Sequence, residues 1–377
     1  MNVQRITSAD QLAALETGWN ALAAGMPLRS WDWLATWWKH YGADADRQLF
    51  VLAVYDESGE LSSDAKPLIG IAPWYLDRSA IKGSVIRWLG SGEICTDHLS
   101  LICHPEDYER VAASVAEALT ATYDDWDLLE LSAIDTDDAP VNALIAALEA
   151  RECLASRHPV DQCWALDLPA TWDEYLATLS KSHRKQLRQL ERRVLESGRT
   201  SWLRVESESD LETGWDVLVD LHQRRRHSLG EPGCFASRLF HDFHREVAAR
   251  MLTCGQLRMS WLELDGTPAA AEYHIAGADT TYAYQGGVDP DRLGEEPGRL
   301  STILCLRAAM GEGHRHMDFL RGDEPYKAHW RASPRPTFDC RVVPNRRLAR
   351  LRGRVLNLSG AVTDWMKQAL QAGEVKT

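Results

Sequence analysis

The sequence predicts an α+β fold built from two tandem units, each a mixed central sheet flanked by helices. Three observations predict it. The chain has 377 residues, room for more than one domain at ~100–200 residues each. The order β-hairpin, strand, helix, strand runs through it twice. The strand after each helix also carries a matched segment, Trp126-Asp127-Leu128-Leu129 in the first pass and Met317-Asp318-Phe319-Leu320 in the second.

In the first unit a helix is expected over 8–24, opened by Ser8, which has the spacing of a capping box to Gln11. Ser30 opens a tryptophan-rich helix that Gly42 ends, with Trp31, Leu34 and Trp38 on one face and Trp37 beside them. That spacing reads as a core-facing helix rather than a platform for stacking a ligand. Strand-like runs follow at 49–56 and 67–77, joined by a polar turn, and at 97–103. A helix over 105–122, a strand over 126–134 and a helix over 141–152 complete the unit. Residues 158–168 read as a strand leading into the second unit.

The second unit opens with helices over 171–197 and 208–227. Strands at 257–265 and 268–277 flank Asp265-Gly266, a strong hairpin signal. A strand at 280–287, a Gly/Pro-rich loop, a helix over 297–311 and a strand at 315–322 follow. The units expected are 1–158 and 159–340. A basic, amphipathic helical tail over 341–377, containing Trp365 and Leu370, is expected to pack on the body or on a partner.

Composition narrows the function classes. A net charge of -13 makes the chain a poor general binder of nucleic acid or anionic membrane. The start, through Glu16, has no apolar core or small-residue cleavage site of a signal peptide, and no apolar run approaches the ~20 residues that span a bilayer. A cytoplasmic protein with no integral membrane segment is expected. Its eight cysteines contain no C-x-x-C pair and are expected to be free thiols. His241 with His244, and His314 with His316, lack a carboxylate or cysteine at ligand spacing, so no metal is expected. Gly-x-Ser-x-Gly and Walker A patterns are absent, which sets aside serine hydrolases and P-loop enzymes.

The segment 282–330 is the richest in chemistry. Its first strand ends in Gly286-Gly287, where a ligand can approach the backbone closely. Glu296-Pro297-Gly298-Arg299-Leu300-Ser301 then leads into a helix whose exposed N–H groups, with Arg299, suit an anion such as a pyrophosphate. Asp318, Arg321, Asp323, Glu324, Tyr326 and Lys327 crowd the end of an apolar strand, ahead of His329-Trp330. Upstream, Glu272 and His274 are two apart on one strand and so share a face.

The set Gln285-Gly286-Gly287, Pro297-Gly298, Gly313, Asp318-Phe319, Gly322, Glu324 and Tyr326-Lys327 with Trp330 resembles the BioF2-like/CelD branch of the GNAT acyltransferases, which is related to the FemABX peptidyltransferases. The resemblance covers about 160–335 well. The first unit is matched weakly, chiefly by Trp31–Trp38 and Asp97. It implies tandem GNAT-like domains, the first degenerate and on the acceptor side, the second catalytic.

The reaction it implies is transfer of an acyl or aminoacyl group to an amine, with acyl-CoA as co-substrate and no tightly bound cofactor. By match, Gln285, Gly286 and Gly287 line the donor strand, and Gly298, Arg299, Leu300 and Ser301 its phosphate end. The usual phosphate loop is not intact, which opens an aminoacyl-tRNA or acyl-carrier donor as alternatives. Asp318, Glu272 and His274 are candidates for the base that takes the amine proton. Lys327 is the candidate for charge stabilisation and Tyr326 for the acid. Arg321, Asp97, Glu324 and Trp330 are candidates on the acceptor side, with a sugar amine or similar small molecule as acceptor.

A basic helix, Lys181 to Arg193, aligns Arg184, Arg188 and Arg192 one turn apart, flanked by Lys181 and Lys185. It reads equally as a phosphate-binding patch, extended by Arg224–Arg226, and as a solvated face. Three functions stand side by side: an acyl-CoA- or carrier-dependent N-acyltransferase of cell-envelope or exopolysaccharide synthesis, an aminoacyl-tRNA-dependent transferase, and a non-catalytic accessory protein of polysaccharide production.

Overall fold

Caps and turns written into the sequence set most element boundaries. A computed structural model describes residues 1–57 and 66–353; the tail segment holding Trp365 and Leu370 lies outside the described residues. The chain opens with β1 (Asn2–Ile6), α1 (Ala9–Ala13), α2 (Glu16–Ala23) and α3 (Trp31–Tyr41). Ser8 and Gln11 form the reciprocal capping box, and the Ser30 hydroxyl accepts from the Trp33 amide. The single helix expected over 8–24 is two, separated at Ala14–Leu15.

β2 (Arg47–Leu49), β3 (Val51–Tyr55), β4 (Leu68–Ala72) and β5 (Trp74–Ser79) follow. The strands expected at 49–56 and 67–77 each break, at Phe50 and at Pro73, and each changes sheet at its break. Proline has no amide hydrogen for a ladder, so Pro73 suits that switch. Next come β6 (Gly83–Trp88), β7 (Ile102–Cys103), α4 (Tyr108–Ala121), β8 (Leu128–Asp135), α5 (Ala139–Glu149) and β9 (Leu154–Asp167). The strand expected over 97–103 shrinks to its last two residues.

The second half runs α6 (Trp172–Thr178), α7 (Lys181–Arg193), β10 (Thr200–Arg204), α8 (Glu208–Ser228) and α9 (Arg238–Thr253). Then come β11 (Leu257–Leu264), β12 (Thr267–Ala276), β13 (Thr280–Val288), α10 (Pro297–Gly311), β14 (His316–Arg321), α11 (Pro325–His329) and β15 (Ser333–Val343). The helix expected over 171–197 breaks at Leu179–Ser180, where the Ser180 hydroxyl caps α7. Asp265 and Gly266 both have positive φ, 54° and 75°, as a two-residue primed turn requires.

Strands β1, β3, β4 and β7 form a small sheet, and the other eleven form one large sheet in the order β10-β11-β12-β13-β14-β9-β15-β8-β6-β5-β2. The repeat is visible in it. β6 reaches β8 through α4 and β13 reaches β14 through α10, and both pairs are parallel. The last strand of each half is exchanged: β9 pairs with β14 of the second half, and β15 pairs with β8 of the first. β9 and β15 pair with each other along nearly their whole length. The boundary expected at 158/159 therefore falls inside β9.

One apolar core runs through both halves, from Ile6 to Val342, and a second lies beneath α6, α7 and α10. The tryptophan-rich helix does face that core: Trp33, Leu34, Trp37 and Tyr41 are buried in it, and Trp31 and Trp38 pack against it half-buried. Trp33 meets Phe243 of α9 at 5.4 Å and Tyr284 of β13 at 5.3 Å. Among the described residues no helix is long and apolar enough to cross a membrane.

A cavity in the wedge between two parallel strands

β13 and β14 pair only at Thr280–Tyr282 with His316–Asp318, and then part. Beyond that point β13 keeps its partner β12 on one side and opens its other edge. The wedge holds a cavity of about 730 Å³. Its walls come from both halves: residues around Glu93–Asp97 of the first, and β12, β13, β14, α8 and α11 of the second.

Gln285, Gly286, Gly287, Gly298 and Arg299 all line this cavity. The reason for Gly287 is different, however. A Cβ there would lie 2.5 Å from the His222 amide nitrogen, so the glycine lets α8 pack against the strand. A Cβ on Gly286 would lie 2.8 Å from the Glu272 carboxylate, inside the cavity. Leu300 and Ser301 do not line it. They are buried near the start of α10.

Glu272 and His274 both line the cavity, with Glu272 Oε2 3.3 Å from His274 Nε2. Burial opposes charging of the His274 ring, but the Cys305 side chain and the Glu272 carboxylate outweigh it and raise the ring to about 10. Tyr326 stands over the same space. Burial pushes its phenol up, and the Glu272 and Glu324 carboxylates push the same way. Trp330 is fully buried and forms part of the wall.

Lys327 reaches the cavity but is committed. Its Nζ donates to the carbonyls of Leu320, Arg321 and Gly322 at 3.2, 2.6 and 3.1 Å and pairs with Glu324 at 2.9 Å. The positive φ of Leu320 and Gly322, 55° and 112°, belongs to the turn that gathers those carbonyls. The ammonium holds this turn instead of standing free to meet a developing charge.

Asp97 does reach across from the first half, but to Arg321 rather than to open space. Its carboxylate accepts from Arg321 Nε at 2.6 Å and from the Arg321 amide at 3.1 Å. Asp318 is also displaced from the role of base. It is buried outside the cavity, accepts from the Leu320 amide at 2.7 Å and faces His98 Nε2 at 3.3 Å. His98 Nδ1 in turn meets Asp135 at 2.8 Å. Burial opposes charging of His98, yet the two aspartates hold its pKa well above the ordinary value.

This interdomain network was not legible in the sequence. Its members are scattered, and only the strand exchange brings them together. The same network places His98, Asp135 and Cys163 with ligand-type atoms within 4.8 Å of one another, a grouping unlike the histidine pairs that the sequence spacing weighed. Arg184 and Arg188 lie outside the cavity. Arg184 donates to the Ala177 and Leu179 carbonyls, and Arg188 approaches Asp173 at 3.4 Å.

Residues 181–328 match the family model for the acetyltransferase (GNAT) domain. The matched segment runs from the start of α7 into α11 and holds Glu272, His274, Tyr326 and Lys327. The whole structure is similar to the crystal structure of FemX, with a TM-score of 0.63 at 11% identity, covering 93% of this chain and 99% of that one. It is similar to the C-terminal domain of a putative lysylphosphatidylglycerol synthetase from Agrobacterium fabrum, with a TM-score of 0.54 at 10% identity, covering 93% and 96%. A conserved protein of unknown function from Bacteroides thetaiotaomicron gives 0.55 at 9% identity, covering 90% and 100%. These likenesses are of fold. No curated protein matches the sequence.

Proposed function

We propose that the chain is an N-acyltransferase that moves an acyl group from acyl-CoA, or from an acyl carrier, to an amine. The observation that carries this reading is the wedge: an open strand edge at Gln285–Gly287 faces a cavity that also holds Glu272. The donor's pantetheine lies along that edge, and its phosphates lie at the N-terminus of α10 beside Arg299. The amine enters from the side walled by the first half.

Glu272, paired with His274, takes a proton from the amine as its nitrogen attacks the thioester carbonyl. The carbon–sulfur bond breaks, and the leaving thiolate takes the proton of Tyr326, a phenol kept protonated by burial and two carboxylates. Lys327 positions the turn that carries Arg321. The FemX-like fold and the BioF2-like/CelD resemblance support an amine of cell-envelope or exopolysaccharide synthesis as acceptor.

A second reading keeps the wedge and changes the donor to aminoacyl-tRNA. Lys181, Lys185, Arg188 and Arg192 favour it, because they are exposed along α7 in an otherwise acidic chain.

Calorimetric titration with acetyl-CoA, a long-chain acyl-CoA and free CoA tests the first reading. Saturable binding, lost in Arg299→Ala, is expected. Glu272→Gln should keep the donor's dissociation constant while transfer falls by roughly 10²–10⁴. Absence of binding by all three ligands would sink the acyl-CoA reading in favour of a tRNA or carrier donor, or of an accessory protein.

A further inference from the structure

Cys234 and His222 both line the cavity, and neither has a part in the chemistry set out above. His222 lies on α8, and Cys234 opens a 3-10 turn, Cys234–Ala236, in the connection to α9. The Cys234 sulfur is 3.5 Å from His222 Nε2. His222 Nδ1 is 3.2 Å from Gln223 Oε1, and Gln223 Nε2 donates to the Pro232 carbonyl at 3.0 Å. Gln285, on the open strand edge, donates from Nε2 to the same sulfur at 3.5 Å. Two glycines permit these approaches. A Cβ on Gly233, whose φ is 74°, would lie 2.1 Å from Gln223 Oε1. Gly287 seats α8 against β13, which brings His222 and Gln285 to one sulfur.

These bonds fix the hydrogens. The Pro232 carbonyl only accepts, so the Gln223 NH₂ points at it and the Gln223 oxygen points at His222. That oxygen also only accepts, so Nδ1 of a neutral His222 carries the hydrogen and Nε2 is bare toward the thiol. Burial holds the Cys234 thiol up at about 12, against the Arg226 guanidinium and the amides of Cys234 and Phe235. Burial also lowers His222. The pair is a neutral thiol beside a neutral base, which activates the sulfur by taking its proton during attack. Cys95, the second cysteine of the cavity wall, differs: it gives its hydrogen to the Gly92 carbonyl at 3.1 Å.

We propose that Cys234 is a nucleophile that carries the acyl group between donor and amine, with His222 as its base and Gln223 fixing the ring. This role rests on the acyl-thioester reading above and adds a covalent stage to it. Sγ attacks the donor's thioester carbonyl while His222 Nε2 takes its proton. The donor's carbon–sulfur bond breaks, and the leaving sulfur takes that proton from His222. One thioester has replaced another, and no net charge is left behind. The amine then attacks the acyl carbon on Cys234, and Glu272 takes its proton. The Sγ–carbon bond breaks, so the thiolate that receives the Tyr326 proton is that of Cys234. The proton on Glu272 restores Tyr326.

The full chain should be mixed with acetyl-CoA, or with a long-chain acyl-CoA, in the absence of any amine. It is expected to release about one equivalent of free CoA in a burst and to gain one acyl group by intact mass. Peptide mapping should place that group on Cys234, and neutral hydroxylamine should remove it as it removes a thioester. Cys234→Ala should bind acyl-CoA in the calorimeter but show neither burst nor adduct. His222→Gln should slow acylation by roughly 10²–10⁴. Gln223→Leu should slow it with the acyl-CoA dissociation constant unchanged. In Glu272→Gln the adduct should still form. A parent chain that binds acyl-CoA yet gives no burst and no adduct would overturn the role of Cys234 and leave direct transfer standing. So would a Cys234→Ala chain that moves the acyl group to hydroxylamine at the parent's rate. A chain that binds neither thioester would overturn the covalent stage together with the acyl-CoA reading.

Discussion

The Lys327 ammonium sits where three backbone carbonyls converge, and each of its hydrogens has an acceptor. A methionine there would leave those carbonyls buried and unpaired. Lys327→Met should cost about 2–4 kcal/mol, read as a lower urea midpoint at unchanged slope. Loss of transfer with no loss of stability would instead return Lys327 to the chemistry.

Asp97 and Arg321 make the matching case across the halves. Removing one partner of a buried pair strands the other, but Arg321 is a third exposed and regains some water. Asp97→Asn is expected to cost roughly 2–3 kcal/mol, toward the lower end for such pairs. The Glu272–His274 pair could be read from the chain because a strand has period two. Asp97 and Arg321 are 224 residues apart, and no local spacing links them.

At the scale of elements, the wedge depends on how closely α8 approaches β13. In Gly287→Ala the new methyl would stand 2.5 Å from one backbone nitrogen and 2.9 Å from a backbone carbon of α8. Backbone cannot swing aside as a side chain does. The expected loss is about 3 kcal/mol, the upper part of the usual overpacking range, with weakened donor binding in the same variant.

Local chemistry made much of this region legible. The primed turn at Asp265-Gly266 and the proline opening α10 placed the flanking strands and helix nearly to the residue. β15 escaped notice because Pro334 and Pro336 argue against a strand. It nevertheless runs in the middle of the large sheet, with Pro334 opposite Trp164 and Pro336 opposite Gln162. Its partners lie far away in the chain, and register over such distances is set by tertiary pairing rather than by local propensity.

For the whole molecule, the histidines define a pH profile. Burial, helped in some by neighbouring cations, depresses His183, His222, His244, His314 and His329 in the folded state. Each gains a proton on unfolding below about pH 6.5, so each takes stability away as the pH falls from there. His98 and His274 are raised. The stability they contribute is full below about pH 6.5 and is lost as the pH climbs toward their folded values. Stability should therefore peak near neutrality and fall more steeply on the acid side, as chemical denaturation at pH 5, 7 and 9 would register. A rise from pH 7 to pH 5 would contradict it.

The exchanged strands should also make unfolding a single transition, coincident by far-UV dichroism and by the fluorescence of tryptophans in both halves. Two separated transitions would mean that each half stands alone.

The exchange also has a consequence for synthesis. Every neighbour of β9 in the finished sheet is encoded downstream of it. When β9 leaves the ribosome, the strands that will cover both its edges have not been made; β8 has β6 on one side but waits for β15 on the other, and β15 ends at Val343. At ~5–20 residues per second, those edges wait roughly 10–40 s with their amides unpaired. The nascent first half is thus a candidate for chaperone custody, and truncation before β15 should yield aggregate rather than a smaller soluble domain.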